Sequence, residues 1–255
     1  MKEPLDLFLM RYVDEITAML GEKVYGMYVY GSIALEAFDE AHSDIDIVVV
    51  VKHDITKPQA KQLAKLHKRL AREERYGNRL DGMFITLEQL GRDEACYYTY
   101  EGTVKFGKWD TNAITWWLLK HKGVTLYGPF AQSLPLEVEW SHVQATLQYN
   151  LHSYWATKTR KPFAFWRTED VVFAVTTMAR IYASYVKQEI VSKKEALQWL
   201  AQHARTEWQP LFVEVEDKLQ GGKLPFARCA RMRLCRNFMK QALKGATNDQ
   251  SLIVL

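Results

Sequence analysis

The sequence predicts an α/β N-terminal domain, a mixed sheet with helices, followed by an all-α C-terminal domain. Three observations carry that expectation. Apolar β-type runs alternate with helical periodicities up to about residue 110, which is the pattern of an α/β layer. Beyond that point the β signal fades and helical spacing of apolar residues dominates. Between the two regions, "AQSLPLEVEW" has the composition of a linker, so the expected domains are 1–134 and 135–255.

In chain order, "MKEPLDLFLMRYVDEITAMLGEK" reads as an amphipathic helix, with acids inside its apolar pattern and no small-residue cleavage site of the kind that ends a secretory leader. "VYGMYVY" is a short strand, "SIALEAFDE" a brief helix, and "DIDIVVVV" a strand apolar enough to be buried on both faces. "KPQAKQLAKLHKRLAREERYG" is helical, with Pro58 near its start, where a missing N–H does no harm, and Gly77 near its end. "NRLDGMFITL" is a third strand, and "DTNAITWWLLKHKGVTLYGP" a helix that ends in a turn at Gly128-Pro129. Further helices are expected over 138–158, 168–187, 192–202 and 226–244, the third opened by a capping box of Ser192 and Glu195.

Composition narrows the function classes. A formal net charge of +4, from 34 basic against 30 acidic residues, is too balanced for a nucleic-acid coat or a membrane-surface protein. No apolar run approaches the ~18 residues of a membrane span. Cys96, Cys229 and Cys235 fit neither a disulfide framework nor a metal-binding spacing, which suits a reducing compartment. A cytoplasmic monomer without nucleic-acid or membrane partners is expected.

The informative stretch is "YVYGSIALEAFDEAHSDIDIVVVV", Tyr28 to Val51. Alternate side chains of a strand share a face, so Asp44 and Asp46 project together while Ile45 and Ile47 enter the opposite layer. Two carboxylates held that close repel, and the usual remedies are a shared proton or a divalent cation. Mg²⁺ suits such a pair, since it binds one or two carboxylates together with substrate phosphates. Gly31 allows a phosphate to approach the backbone, the helix start after it supplies N–H groups, and Ser32 adds a hydroxyl. Asp81, inside the core-like "RLDGMFI", also asks for a partner; three carboxylates converge if its strand lies beside "DIDIV". Each feature alone reads more simply as a turn or a solvated strand end. Their conjunction is far more specific.

"YGSIALEAFDEAHSDIDIVVVV" resembles the signature of the nucleotidyltransferase superfamily typified by DNA polymerase beta. "NRLDGMFI", "VKFGKWDTNAI", "GVTLYGP" and "VTTMARIYASYVKQEIVSKKEALQWL" resemble, in that order, segments of the aminoglycoside adenylyltransferases that modify streptomycin and spectinomycin. The resemblance implies an enzyme with an N-terminal nucleotidyltransferase domain and a helical domain, binding ATP and drug between them. It implies that AMP passes to a hydroxyl of the drug and pyrophosphate is released. By the same resemblance Gly31 and Ser32 hold the ATP phosphates, Asp44 and Asp46 bind Mg²⁺, and Arg180 and Lys193 reach the phosphates from the helical domain. Asp81 stands where the family has a glutamate proposed as general base. It is one methylene shorter and reads either as base or as a third metal ligand. Trp109 and Asp170 match positions associated with the drug, so the expected partners are ATP and a small, hydroxylated, cationic acceptor. "WATKTRKPFAFW" departs from the family and is basic, which leaves two alternatives open: adenylyl transfer to another acceptor (a lincosamide, a small metabolite or a protein side chain), or an idle nucleotide sensor.

Overall fold

The computed structural model describes residues 3–109, 111–222 and 227–245. The chain divides into two compact units, Met1–Glu139 and Trp140–Leu255. No helix among the described residues is long and apolar enough to cross a membrane.

The first unit is α/β. Helix α1 (Glu3–Leu20) leads into β1 (Val24–Val29), a single turn α2 (Gly31–Ala34), and β2 (Ile45–Val51). Helix α3 (Lys57–Glu73) then crosses to β3 (Leu80–Thr86), a connection that the parallel pairing of β2 with β3 requires. The capping box that starts α3 is made by Thr56 and Gln59, a device worth about 1 kcal/mol. Its buried face, Leu63, Leu66, His67 and Leu70, follows the helical spacing. A hairpin, β4 (Ala95–Tyr100) and β5 (Thr103–Lys108), is followed by α4 (Ala113–Lys122) and β6 (Val124–Tyr127). The strands form one mixed sheet in the order β5-β4-β3-β2-β1-β6, antiparallel except for β2 with β3.

Strand periodicity sorts the side chains into two layers. Ile45, Ile47, Val49 and Val51 join Leu80 and Phe84 in the core beneath α1 and α3. Val48, Val50, Met83 and Ile85 join Tyr28, Trp116 and Leu119 on the opposite face. Asp46 and Asp81 therefore belong to this second face, at the strand ends where the apolar layer stops. The expected linker is part of the first unit: Ala131, Leu134 and Leu136 are buried in its second core cluster, and Val138 packs against it.

The second unit is all-α. It runs through α5 (Trp140–Tyr149), a π-helical turn (Asn150–Trp155), α6 (Ala156–Arg160), α7 (Thr168–Lys187), α8 (Lys193–His203), α9 (Gln209–Leu219) and α10 (Arg228–Gly245). Helix α7 is the central element, burying Val171, Ala174, Val175, Met178 and Tyr182 on one face and, over Ile181 to Ser184, its whole circumference. Phe212 and Trp208 meet Phe238 edge-on. Glu214 and Arg231 form a buried ion pair at 3.1 Å.

Several elements differ from expectation. The helix expected over 32–40 stops after one turn, because Glu36 takes a left-handed backbone (φ 53) and the following segment is held elsewhere. The stretch after α4 is a strand, β6, where the expected helix was to run on to the turn at Gly128-Pro129; its four residues are too few to show periodicity but pair with β1. The hairpin β4–β5 and the helix α9 were not expected at all. The long helix expected over 138–158 is interrupted by the π-helical turn. Ser192 caps α8 as expected, its hydroxyl accepting from the Glu195 N–H, but the Glu195 carboxylate pairs with Lys187 instead of completing a box. The helix expected from Phe226 begins at Arg228 in the described residues, with Phe226 itself lying outside them.

Candidate active site

Asp46 and Asp81 stand directly opposite each other in the parallel register of β2 and β3, and Asp44 precedes β2 by one residue. Asp44 is exposed, whereas Asp46 and Asp81 are half-buried. The consequence is electrostatic. Burial first, and then the charges of Asp44 and Asp46, push the Asp81 carboxyl up to about 7, against a stabilising backbone N–H from Glu101. Asp44 and Asp46 thus both act on Asp81, as the spacing and strand pattern anticipate if the strands are neighbours.

They do not assemble as a three-carboxylate metal cage. Among the described residues no group of three or more His, Cys, Asp or Glu side chains is placed to hold a metal ion. Asp81 also carries a stabilising backbone N–H from Glu101. Asp44 and Asp46 remain as a hard, anionic pair, and two carboxylates plus phosphate oxygens and water are a usual complement for Mg²⁺.

Gly31 adjoins that pair. Its φ is +60°, and a Cβ added there would lie 1.8 Å from Asp46 Oδ2. The position therefore requires glycine on two counts, backbone conformation and space. The neighbouring Ser32 hydroxyl is buried and has no hydrogen-bond partner. An orphaned hydroxyl beside a residue without a Cβ and two carboxylates fits a phosphate bridged to a cation. The Mg²⁺ expectation thus passes a test on the residues present.

The segment that delivers Asp44 is held by Arg79, which sequence reasoning missed. Its guanidinium donates to the main-chain oxygens of Asp39 (3.0 Å), Glu40 (2.9 Å) and Ser43 (Nε at 2.7 Å), and lies over the rings of Phe38 and Tyr76 at 5.2 and 5.6 Å. Asp39 closes the same loop, accepting from Ala41 N–H at 2.7 Å. Three carbonyls gathered by one cation make a rigid approach to β2.

Glu101 was missed as well. Tyr100 pairs with Thr103, which leaves Glu101 and Gly102 as a two-residue loop with φ 47 and 70, the backbone of a tight hairpin turn. "YTYEGTVKF", with β-formers either side of Glu-Gly, was the available signal. Glu101 bonds the Tyr100 hydroxyl and raises its pKa, with Asp81 and Asp44 adding to the effect. Trp109 belongs to this neighbourhood: its ring lies 4.9 Å from Tyr98 and 6.2 Å from Tyr100.

The remaining expected residues belong to the second unit. Arg180 is half-buried on α7, Lys193 is exposed at the first turn of α8, and Asp170 sits in the first turn of α7. Asp170 is ion-paired with Lys158 at 2.9 Å.

Comparison with known proteins accords with this geometry. A nucleotidyltransferase domain model matches residues 9–98, and an aminoglycoside adenylyltransferase C-terminal domain model matches residues 157–244. The chain belongs to the aminoglycoside adenylyltransferase family of nucleotidyltransferases. Among solved structures, this adenylyltransferase-family chain is similar in fold to the spectinomycin adenyltransferase AAD(9) from Enterococcus faecialis, crystallised with ATP and spectinomycin. The TM-score is 0.64 at 15% identity, over 93% of this chain and 99% of that one. No curated protein sequence matches the chain.

Proposed function

We propose that the protein transfers AMP from Mg-ATP to a hydroxyl of an aminoglycoside of the streptomycin or spectinomycin type and releases pyrophosphate. The observation that carries this reading is the registered pair Asp46 and Asp81, with Asp44 two residues before Asp46 and Gly31-Ser32 alongside. The family membership and the ATP and spectinomycin held by the E. faecialis enzyme support the choice of co-substrate and acceptor.

In this reading Asp44 and Asp46 hold Mg²⁺, which when bound withdraws charge from the triphosphate and makes the α-phosphorus a better electrophile. Gly31 admits a phosphate against the main chain and Ser32 donates its hydroxyl to it. Asp81 accepts the proton of the acceptor hydroxyl; that oxygen bonds to the α-phosphorus, the bond from α-phosphorus to the α–β bridging oxygen breaks, and pyrophosphate leaves. The half-burial of Asp81, the first cause of its raised pKa, persists when a cation neutralises Asp44 and Asp46, and keeps this carboxylate a better proton acceptor than a solvated aspartate. Asp81 is assigned the base and not a third metal position because no three-carboxylate group is placed to hold a metal among the described residues. Arg180 and Lys193 supply further positive charge to the triphosphate, and Trp109 and Asp170 contact the acceptor.

The test is pyrophosphate release from Mg-ATP with streptomycin, spectinomycin, kanamycin and lincomycin offered separately. Release with one of the first two is expected. Release with lincomycin alone, or with none while ATP still binds, would overturn the acceptor assignment.

A further inference from the structure

The ammonium of Lys158, on α6, is enclosed by its own chain. Its Nζ lies 2.9 Å from Asp170 Oδ1 and 5.8, 5.6 and 5.5 Å from the ring centroids of Tyr154, Trp155 and Phe173. Tyr154 and Trp155 precede Lys158 by four and three residues across the π-helical turn, while Asp170 and Phe173 are three residues apart on α7. Tyr154 and Trp155 thus stand at helical spacing from Lys158, Asp170 and Phe173 at helical spacing from each other, and the four close around one cation. Trp155 is a buried back wall, whereas Tyr154 and Phe173 are each 49% exposed, so the enclosure opens to solvent. Burial disfavours the charge on Lys158, but its bonds to Asp170 and to the Tyr154 hydroxyl outweigh that and hold its pKa above the ordinary value.

Three aromatic faces and one carboxylate around an ammonium are what a site for an organic cation consists of. A carboxylate needed for a cationic ligand would normally stand open to it. Here it is already neutralised.

We infer that Tyr154, Trp155, Phe173 and Asp170 form an organic-cation site whose resident occupant is Lys158, and that Lys158 thereby sets acceptor specificity by excluding a guanidinium or ammonium group from this point. The specificity consequence rests on the proposed reading that Asp170 contacts the acceptor; the cage itself does not. The wild-type chain then meets its acceptor here with a neutral, hydrogen-bonding surface, and an acceptor bearing a guanidinium must compete with an intramolecular lysine for Asp170.

The experiment is calorimetric titration of ethylguanidinium chloride, at ionic strength held constant with NaCl, into wild type, Lys158→Ala, Lys158→Arg and the double variant Lys158→Ala with Asp170→Asn. Lys158→Ala should bind the probe at least tenfold tighter than wild type, Lys158→Arg should match wild type, and the double variant should lose the gain. Lys158→Met, which keeps most of the apolar stem, serves if the alanine variant does not fold, and should also bind tighter than wild type. Equal binding by wild type and the lysine-free variants overturns the inference. A second arm measures pyrophosphate release with streptomycin, whose guanidinium groups make it the relevant acceptor; kcat/KM should rise at least tenfold in Lys158→Ala. A gain with the probe but no streptomycin-dependent release in either form upholds the cage and overturns the acceptor reading instead.

Discussion

Acidification should destabilise this protein through one buried imidazole. His67, on α3, is fully buried; its Nδ1 is 2.9 Å from Thr99 Oγ1 on β4 and its Nε2 3.3 Å from the Tyr12 hydroxyl on α1. Burial lowers its pKa from 6.5 to about 4. Between those values the unfolded chain binds a proton that the folded chain refuses, so stability rises with pH across the window. The contribution is complete above pH 6.5, declines as the pH falls from 6.5 to about 4, and changes no further below. A shift from 6.5 to about 4, at about 1.4 kcal/mol for each pH unit, gives roughly 3 kcal/mol. For a chain of this length that is a fall of roughly 6–12 °C in melting temperature. The assay is urea unfolding of wild type and His67→Gln at pH 7, 6, 5 and 4.5. Gln retains a donor and an acceptor but cannot titrate, so the stability difference between the two proteins should shrink or reverse by about 2 to 3 kcal/mol on going to pH 4.5. A difference that stays constant with pH, or a His67 resonance titrating near 6.5, would refute the argument.

Three further outcomes follow from the site. Gly31→Ala forces a left-handed backbone, at a cost of about 1–2 kcal/mol, and drives Asp46 from its place; the variant should stay folded by circular dichroism while Mg-ATP binding, measured by calorimetry, weakens at least tenfold. Arg79→Met frees the carbonyls of Asp39, Glu40 and Ser43, so the Mg²⁺ concentration for half-maximal activity should rise severalfold, with high Mg²⁺ restoring the rate; a variant no more demanding of Mg²⁺ than wild type would count against the clamp. Asp81→Asn should lower turnover by about 10²–10⁴ while leaving Mg-ATP affinity within about threefold of wild type. Loss of affinity in parallel with rate would return Asp81 to the metal ligands.

Local chemistry made part of this protein legible without coordinates. The two-residue period of a strand puts Asp44 and Asp46 on one side of an apolar run, and Gly31-Ser32 before it marks where a phosphate can approach. The helical spacing of apolar residues in 57–73 and 168–187 reads directly because it repeats over several turns. Short or irregular elements were harder to read. Strand β6 has four residues and the π-helical turn interrupts a sequence with ordinary helical composition, so neither shows a periodicity of its own. The Glu101-Gly102 turn, with left-handed backbone at a glutamate, left only the β-formers on either side of it as a sign.

What the sequence by itself determined, then, is which side chains share a face and where the chain turns, since these depend on neighbours within a few positions. Tertiary structure decided the pairings between residues far apart in the chain. Parallel register set Asp81 against Asp46, Arg79 closed on carbonyls some forty residues earlier, and Lys158 took the carboxylate of Asp170. None of these follows from residue type, because Arg79 and Lys158 have the composition of ordinary solvated cations until folding removes water from around them and offers a specific oxygen in its place.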